Sequence, residues 1–212
     1  MTENVCVFGD TFLPPGSHHR EIAKALIERY GRVVVVPCGL RQEKTHTRRI
    51  SSKDRRKLVE LGFAGIPGLE FEFFDLWTEP AMFSPTWKLD IRFHALNPTS
   101  EIIHTFGYDL IKGGAKGESE IQRLWKKGSE LWQRLDMVIV ISEEERGSVS
   151  VDDLPPHAEL LVAPTGLVHS SDLRRMIEVG DPRIEQYVQP LVLDYINAHG
   201  LFKQEAHANL CK

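Results

Sequence analysis

Apolar positions cluster in short unbroken runs along this chain: Val5-Cys6-Val7-Phe8, Val33-Val34-Val35-Val36 and Met137-Val138-Ile139-Val140-Ile141. Ile102-Ile103-His104-Thr105-Phe106 and Leu160-Leu161-Val162 are looser versions of the same pattern. Gly9, Pro37 and Gly107 close three of them, as expected of parallel strands buried on both faces. Leu69-Glu70-Phe71-Glu72-Phe73 alternates instead and predicts a half-exposed strand. Between the runs the spacing turns helical. Ile22, Ala23, Leu26, Ile27 and Tyr30 share one face of a helix capped by Ser17 and ended by Gly31. Further helices are predicted after Ser51 or Ser52, over 86–96, from Ser119 through Leu131, from a Ser170 cap to Val179, and over 184–198 as one helix or a pair.

Strand and helix therefore alternate throughout, which predicts an α/β fold with a doubly wound, mostly parallel sheet and a C-terminal helical segment. Residues 1–202 read as one domain and 203–212 as a tail. There is no internal repeat or low-complexity stretch. Residues 39–49, carrying Arg41, Lys44, His46, Arg48 and Arg49, read as a mobile polar loop, and 112–117, with its glycines, as a flexible segment.

The chain has 212 residues, 42% of them hydrophobic and 26% charged, the balance of a globular protein with a real core. A net charge of −4 argues against a general nucleic-acid partner. No leader-like segment or membrane-length apolar run is seen, so a cytoplasmic protein without membrane contact is expected; a homo-oligomer is compatible with this. Cys6, Cys38 and Cys211 have neither metal nor redox spacing, and the first two are expected as buried thiols.

In such a sheet ligands bind beyond the carboxyl ends of the strands. Three places there carry candidate chemistry. At Gly9 the backbone can approach a ligand closely, and the next helix begins at Gly16-Ser17-His18-His19. That tetrapeptide resembles an expression-tag scar, yet fifteen residues precede it and already form a strand. His18 and His19 stand in a first turn whose unpaired N–H groups would suit phosphate. Ser170-Ser171-Asp172-Leu173-Arg174 offers hydroxyls and a guanidinium at another helix start, also suited to polyphosphate. Asp109, in Gly107-Tyr108-Asp109, could accept from ribose hydroxyls. Singly, each is as well explained by a solvated histidine pair, a plain cap or a loop aspartate.

Taken in order, these residues resemble the nicotinate/nicotinamide mononucleotide adenylyltransferases of the nucleotidyltransferase superfamily with an HxGH-type motif. The family's opening G-G-x-F-D-P-x-H-x-G-H is similar to Gly9-Asp10-Thr11-Phe12-Leu13-Pro14-Pro15-Gly16-Ser17-His18-His19. Its lysine loop and following arginine look like Lys44 and Arg55, its G-x-D like Gly107-Tyr108-Asp109, and its ring-associated tryptophan like Trp125. Its I-S-S-T-x-I-R is similar to 168–174, and its terminal helix to the stretch from Gly180 to Phe202. The departures are Gly16 for the first histidine, His18 for the motif glycine, Leu13 for the acid or amide before proline, and His169 for the first serine. Trp87 and Lys88 stand where T-x-D is usual.

The resemblance implies adenylyl transfer from ATP to nicotinate or nicotinamide mononucleotide, giving the dinucleotide and pyrophosphate. Mg²⁺ would accompany ATP, held by its phosphates with no metal ligand from the protein. His19, with the backbone at Gly9, Thr11 and Phe12, would hold phosphates, and His18 would assist. Ser170, Ser171 and Arg174 would bind the β- and γ-phosphates, and Gly107 and Asp109 the nucleoside. Lys44 would close over the mononucleotide phosphate. Arg55 would support that site or pair with an acid. Thr86 and Trp87 would border the acceptor, and Trp125 is either a ring-stacking or a core residue. The alternatives are a nucleotide binder without catalysis, and transfer to another small phosphate such as phosphopantetheine or glycerol phosphate.

Overall fold

A computed structural model of the chain describes residues 3–40, 49–164, 166 and 168–203. The apolar runs become strands β1 (Asn4–Asp10), β2 (Val33–Pro37), β4 (Glu101–Gly107), β5 (Asp136–Ile141) and β6 (Ala158–Val162). β3 is Leu69–Phe71, two residues shorter than the alternating stretch, and a 3-10 helix follows at Phe74–Leu76. The helices are α1 (Ser17–Tyr30), α2 (Ser52–Gly62), α3 (Thr86–Leu96), α4 (Glu120–Leu124), α5 (Gly128–Arg134), α6 (Ser170–Val179) and α7 (Pro190–His199).

The six strands pair in the order β3-β2-β1-β4-β5-β6, every pair parallel. The order reverses between β1 and β4, so connections leave those strands toward opposite flanks and open a crevice at their carboxyl ends. β1 and β2 are apolar on both faces because both are covered. On one, Cys6, Phe8, Val33 and Val35 pack with Ile22, Ala23 and Leu26 of α1 and Val59 of α2. On the other, Val5, Val7, Val34 and Val36 meet Phe93 of α3. Met137, Ile139 and Ile141 form a further core with Ile121, Leu131 and Trp132. Leu13, Leu58, Leu173, Val192 and Ile196 tie α2, α6 and α7 to the turn after β1.

Beneath this lies a buried polar node. Asp90 of α3, 1% exposed, receives Arg134 Nη2 at 2.6 Å and faces His104 Nε2 of β4 at 3.2 Å. Burial opposes the charge on Asp90, but these two partners outweigh it and hold the carboxyl below its ordinary value.

Several local expectations are corrected. Ser17 does not cap α1: the cap is Gly16, and Ser17 is the first helical residue. Likewise His169, not Ser170, caps α6. The helix expected from Ser119 through Leu131 is two short helices, interrupted at 125–127 where Lys127 takes a left-handed φ of 64°. Gly128 permits the break, since a Cβ there would collide with the Ile121 carbonyl. The 112–117 segment is a fixed turn, a 3-10 helix flanked by Gly113 and Gly117 at φ 83° and 71°. The 184–198 prediction resolves into the pair, a 3-10 helix at Pro182–Gln186 followed by α7. Cys6 is buried and its thiol is pushed up to about 11, while Cys38 is only half-buried; Cys211 lies outside the described residues. Among the described residues no helix is long and apolar enough to cross a membrane.

Candidate active site

The turn leaving β1 is held by aromatic packing. Phe12 adopts φ 47°, a left-handed conformation that costs a non-glycine residue on the order of 1 kcal/mol. Its fully buried ring is fixed edge-on against Phe8, Phe63 and His19, with centroids 5.2, 5.3 and 5.1 Å away. That anchoring holds the sharp turn and aims Asp10 and Thr11 at the crevice.

His19 is 4% exposed and works at both ring nitrogens. Gly16 N–H donates to Nδ1 at 2.9 Å, so the ring proton sits on Nε2, which donates toward Asp10 Oδ2 at 3.3 Å. His18 packs against it, ring centroids 3.8 Å apart. Burial first, then the neighbouring His19, drives the His18 pKa down to about 3, so its imidazole is neutral. The His18 ring also fills the space beside Gly16: a Cβ at that position would lie 2.7 Å from His18 Nδ1 and 2.9 Å from Leu173 Cδ1. The glycine and the second histidine are thus two halves of one packing arrangement.

The first turn of α1 is partly paired inside the molecule, with His18 N–H left without an acceptor among the described residues. Ser17 N–H donates to the Tyr187 carbonyl at 2.6 Å, His19 N–H to Gly16 O at 3.1 Å, and Gly16 N–H to the His19 ring. The Tyr187 carbonyl comes from the segment before α7, which closes this helix end.

α6 meets the same turn from the other side. Arg174, half-buried, donates from Nη1 to Leu13 O at 2.7 Å. Burial lowers its pKa, while Asp10 and Asp172 oppose that fall, so it stands within the field of the Asp10 carboxylate. Ser170 is half-buried and Ser171 exposed, and their amides have no acceptor among the described residues. At the end of β4 the Asp109 carboxylate folds back over Gly107, its Oδ1 2.5 Å from where a Cβ would stand. Burial, then Glu120, raises the Asp109 pKa, and His169 pulls it back. Because His169 acts on both Asp109 and His18, the β1, β4 and α6 ends face one crevice.

The acceptor side is less tightly gathered. Lys44 lies outside the described residues. Arg55, expected to support the mononucleotide site or pair with an acid, is 1% exposed and donates from Nη2 to the Cys38 carbonyl, while its Nε and Nη1 have no hydrogen-bond partner among the described residues. It is buried beside the chain that leaves β2. Asp75, which the sequence did not single out, accepts from Gly39 N at 2.8 Å and Ser84 N at 3.0 Å. It fastens that same chain to the segment just ahead of Thr86, the first residue of α3. Trp87 is half-buried, its indole Nε1 has no hydrogen-bond partner, and Lys88, Lys126 and Lys127 stand 5.6, 5.6 and 5.1 Å from its ring. Trp125, at the break between α4 and α5, lies edge-on to Phe106 at 5.5 Å and donates from Nε1 to Glu120 Oε1 at 3.2 Å.

Comparison with known proteins bears on what this crevice serves. No family model matches the chain. A curated protein of Geobacillus kaustophilus named "Probable nicotinate-nucleotide adenylyltransferase" is 27% identical over 200 residues, spanning 92% of this chain and 84% of the relative. One of the same name from Caldicellulosiruptor bescii is 24% identical over 212 residues, spanning 94% and 99%. Over nearly its whole length the chain is similar to proteins that carry the nicotinate-nucleotide adenylyltransferase name. Solved structures agree on the fold. The Plasmodium falciparum nicotinic acid mononucleotide adenylyltransferase complexed with NaAD superposes with a TM-score of 0.75 at 19% identity, covering 94% of this chain and 97% of that one. The same enzyme complexed with APC gives 0.70 at 19% identity, with the same coverage. In this chain the crevice at the β1–β4 reversal is where the first and last candidate motifs meet.

Proposed function

We propose that the chain transfers the adenylyl group of ATP to nicotinate or nicotinamide mononucleotide, releasing pyrophosphate. The observation that carries this reading is the convergence of Thr11, His19 and Arg174 at one crevice, in a chain whose relatives bear the adenylyltransferase name.

The chemistry asks little of the side chains. The acceptor phosphate is largely ionised at neutral pH, its second pKa being ~6. One of its oxygens bonds to the α-phosphorus of ATP while the bond to the bridging oxygen of pyrophosphate breaks. No base must take a proton, and no enzyme-bound intermediate is needed. The protein contributes orientation and positive charge. Arg174 and the open amides of Ser170 and Ser171 receive the β- and γ-phosphates. Thr11 N–H, the Phe12 backbone and His19 Nε2 lie on the α-phosphate side, and Asp109 takes a ribose hydroxyl. Mg²⁺ enters as part of the substrate. Lys44 approaches the mononucleotide phosphate, Trp87 and Thr86 border the acceptor, and Trp125 flanks its ring. Arg55 supports the mononucleotide site from beside the chain that leaves β2.

Losing one phosphate donor costs on the order of 10²–10³ in rate and leaves a reaction to detect. Gly16 therefore does not by itself exclude turnover. A second reading, nucleotide binding without turnover, is favoured by the packing of the His18 ring into the space beside Gly16. One experiment separates the two: incubation with ATP, Mg²⁺ and each mononucleotide, with chromatography of the products. Dinucleotide formation supports the transferase. ATP binding without product from either mononucleotide supports the binder.

A further inference from the structure

Asp10 stands at the floor of the crevice, and its carboxylate is already using donors that the reading above gives to phosphate. Oδ1 accepts from Thr11 N–H at 2.5 Å and from Thr11 Oγ1 at 3.2 Å. Oδ2 faces His19 Nε2 at 3.3 Å. The ring proton is committed to Nε2 by the Gly16 N–H on Nδ1, so His19 has no second donor to offer. The same carboxylate favours the charged forms of both Arg174 and His18. A phosphate oxygen arriving at Thr11 and His19 would meet an anion in its own place, and like charges so close exclude one another. The Asp10 side chain is 40% exposed, so it has room to turn toward water.

We propose that Asp10 is a resident anion that sets the affinity of this chain for polyphosphates: its carboxylate satisfies Thr11 and His19 when the crevice is empty and must leave before phosphate enters. This rests on the reading of the β1 end as a polyphosphate site. The pairing keeps the buried His19 ring and the strand-end amide from being unsatisfied without ligand. It makes each phosphate compete with an internal carboxylate, so nucleotide binds more weakly than the donors alone would allow. The geometry of the empty crevice and the affinity of the filled one are thereby set by the same residue.

The test is isothermal titration of ATP, and separately of inorganic pyrophosphate, into the parent chain, Asp10→Asn and Asp10→Gly, each with Mg²⁺ and with chelator. Thermal unfolding checks that each variant is folded, and the near-isosteric asparagine serves if the glycine variant is not. The inference expects both variants to bind both ligands about tenfold tighter or more, the scale of one charge-assisted hydrogen bond released. If the parent binds and the variants bind no tighter, the inference fails while the polyphosphate site stands. If the variants bind more weakly only when Mg²⁺ is present, Asp10 is a ligand of the accompanying cation and the inference is overturned. If no folded protein of the set binds either ligand, the reading of the crevice falls and the inference with it.

Discussion

Two helices begin at the ligand-binding edge of the sheet, and the protein treats their first turns in opposite ways. At α1 the amides of Gly16, Ser17 and His19 all find acceptors inside the molecule, one of them a carbonyl sent from residue 187. At α6 the amides of Ser170 and Ser171 find none among the described residues, and the side chains around them are exposed or half-buried. Both ends carry the same partial positive charge. Among the described residues α6 leaves its first two amides without an acceptor, whereas at α1 only the second, His18 N–H, lacks one. Helix termini are anion sites when their donors are spare, so position alone does not identify one. On the proposed function, the α1 end would serve stability first and binding through the ring of His19, and the α6 end would serve binding at little structural cost.

Substitutions should separate these roles, and the largest effect is expected where the two ends touch. Arg174→Ala should lower kcat/KM for dinucleotide formation about 10²–10³-fold. Unfolding by denaturant should show a stability loss of only ~1 kcal/mol from the lost bond to the Leu13 carbonyl. An unchanged kcat/KM would mean that Arg174 is a structural tie and no more.

Restoring an imidazole at the α1 end should fail for a packing reason. Gly16→His alone pushes a side chain into the His18 ring and Leu173, and overpacking of this kind should cost ~1–3 kcal/mol. The double variant Gly16→His with His18→Gly should recover most of that loss, measured by the same denaturant titration. Failure to recover would show that His18 is not what occupies the space.

The distinction extends to pH. The folded chain holds His18 neutral down to about 3, whereas an unfolded histidine takes up a proton near 6.5. Between those values the unfolded state binds the extra proton, so stability is full above 6.5 and drains away as pH falls, by at most ~1.4 kcal/mol per pH unit from this group. The thermal midpoint should therefore fall between pH 7 and pH 4, and His18→Asn should flatten that dependence. A parallel fall in parent and variant would assign it to other groups.

The smallest structural effect is expected at the open end. Ser171→Ala should stay within ~0.5 kcal/mol of the parent in stability while weakening ATP binding severalfold by titration. Equal ATP affinity would place the hydroxyl outside the phosphate site.

The same contrast explains what was legible in the sequence. The buried strands read directly, because an apolar run closed by Gly or Pro has few other uses. Both helix starts were displaced by one residue, since Gly16 and His169 cap by backbone conformation and neither supplies a side-chain acceptor. The break between α4 and α5 is signalled in the sequence by a single glycine, Gly128; it depends on Lys127 accepting a left-handed φ so that Gly128 can reach Ile121. At the crevice, His18, His19, Arg174 and Asp109 stood out by chemistry and spacing. Asp10 did not, because a carboxylate at a strand end means nothing until its partners are known. Asp75 was missed for a similar reason: only the fold shows it as the fastening between two loops.

The bond from Arg174 to the Leu13 carbonyl joins residues 161 positions apart. The carbonyl of Tyr187 that seals α1 is more distant still. A chain emerging from the ribosome has every strand of the sheet before either partner exists. The crevice is therefore among the last things the polypeptide completes, and a nascent chain stopped before α6 would have its parallel sheet without the finished crevice.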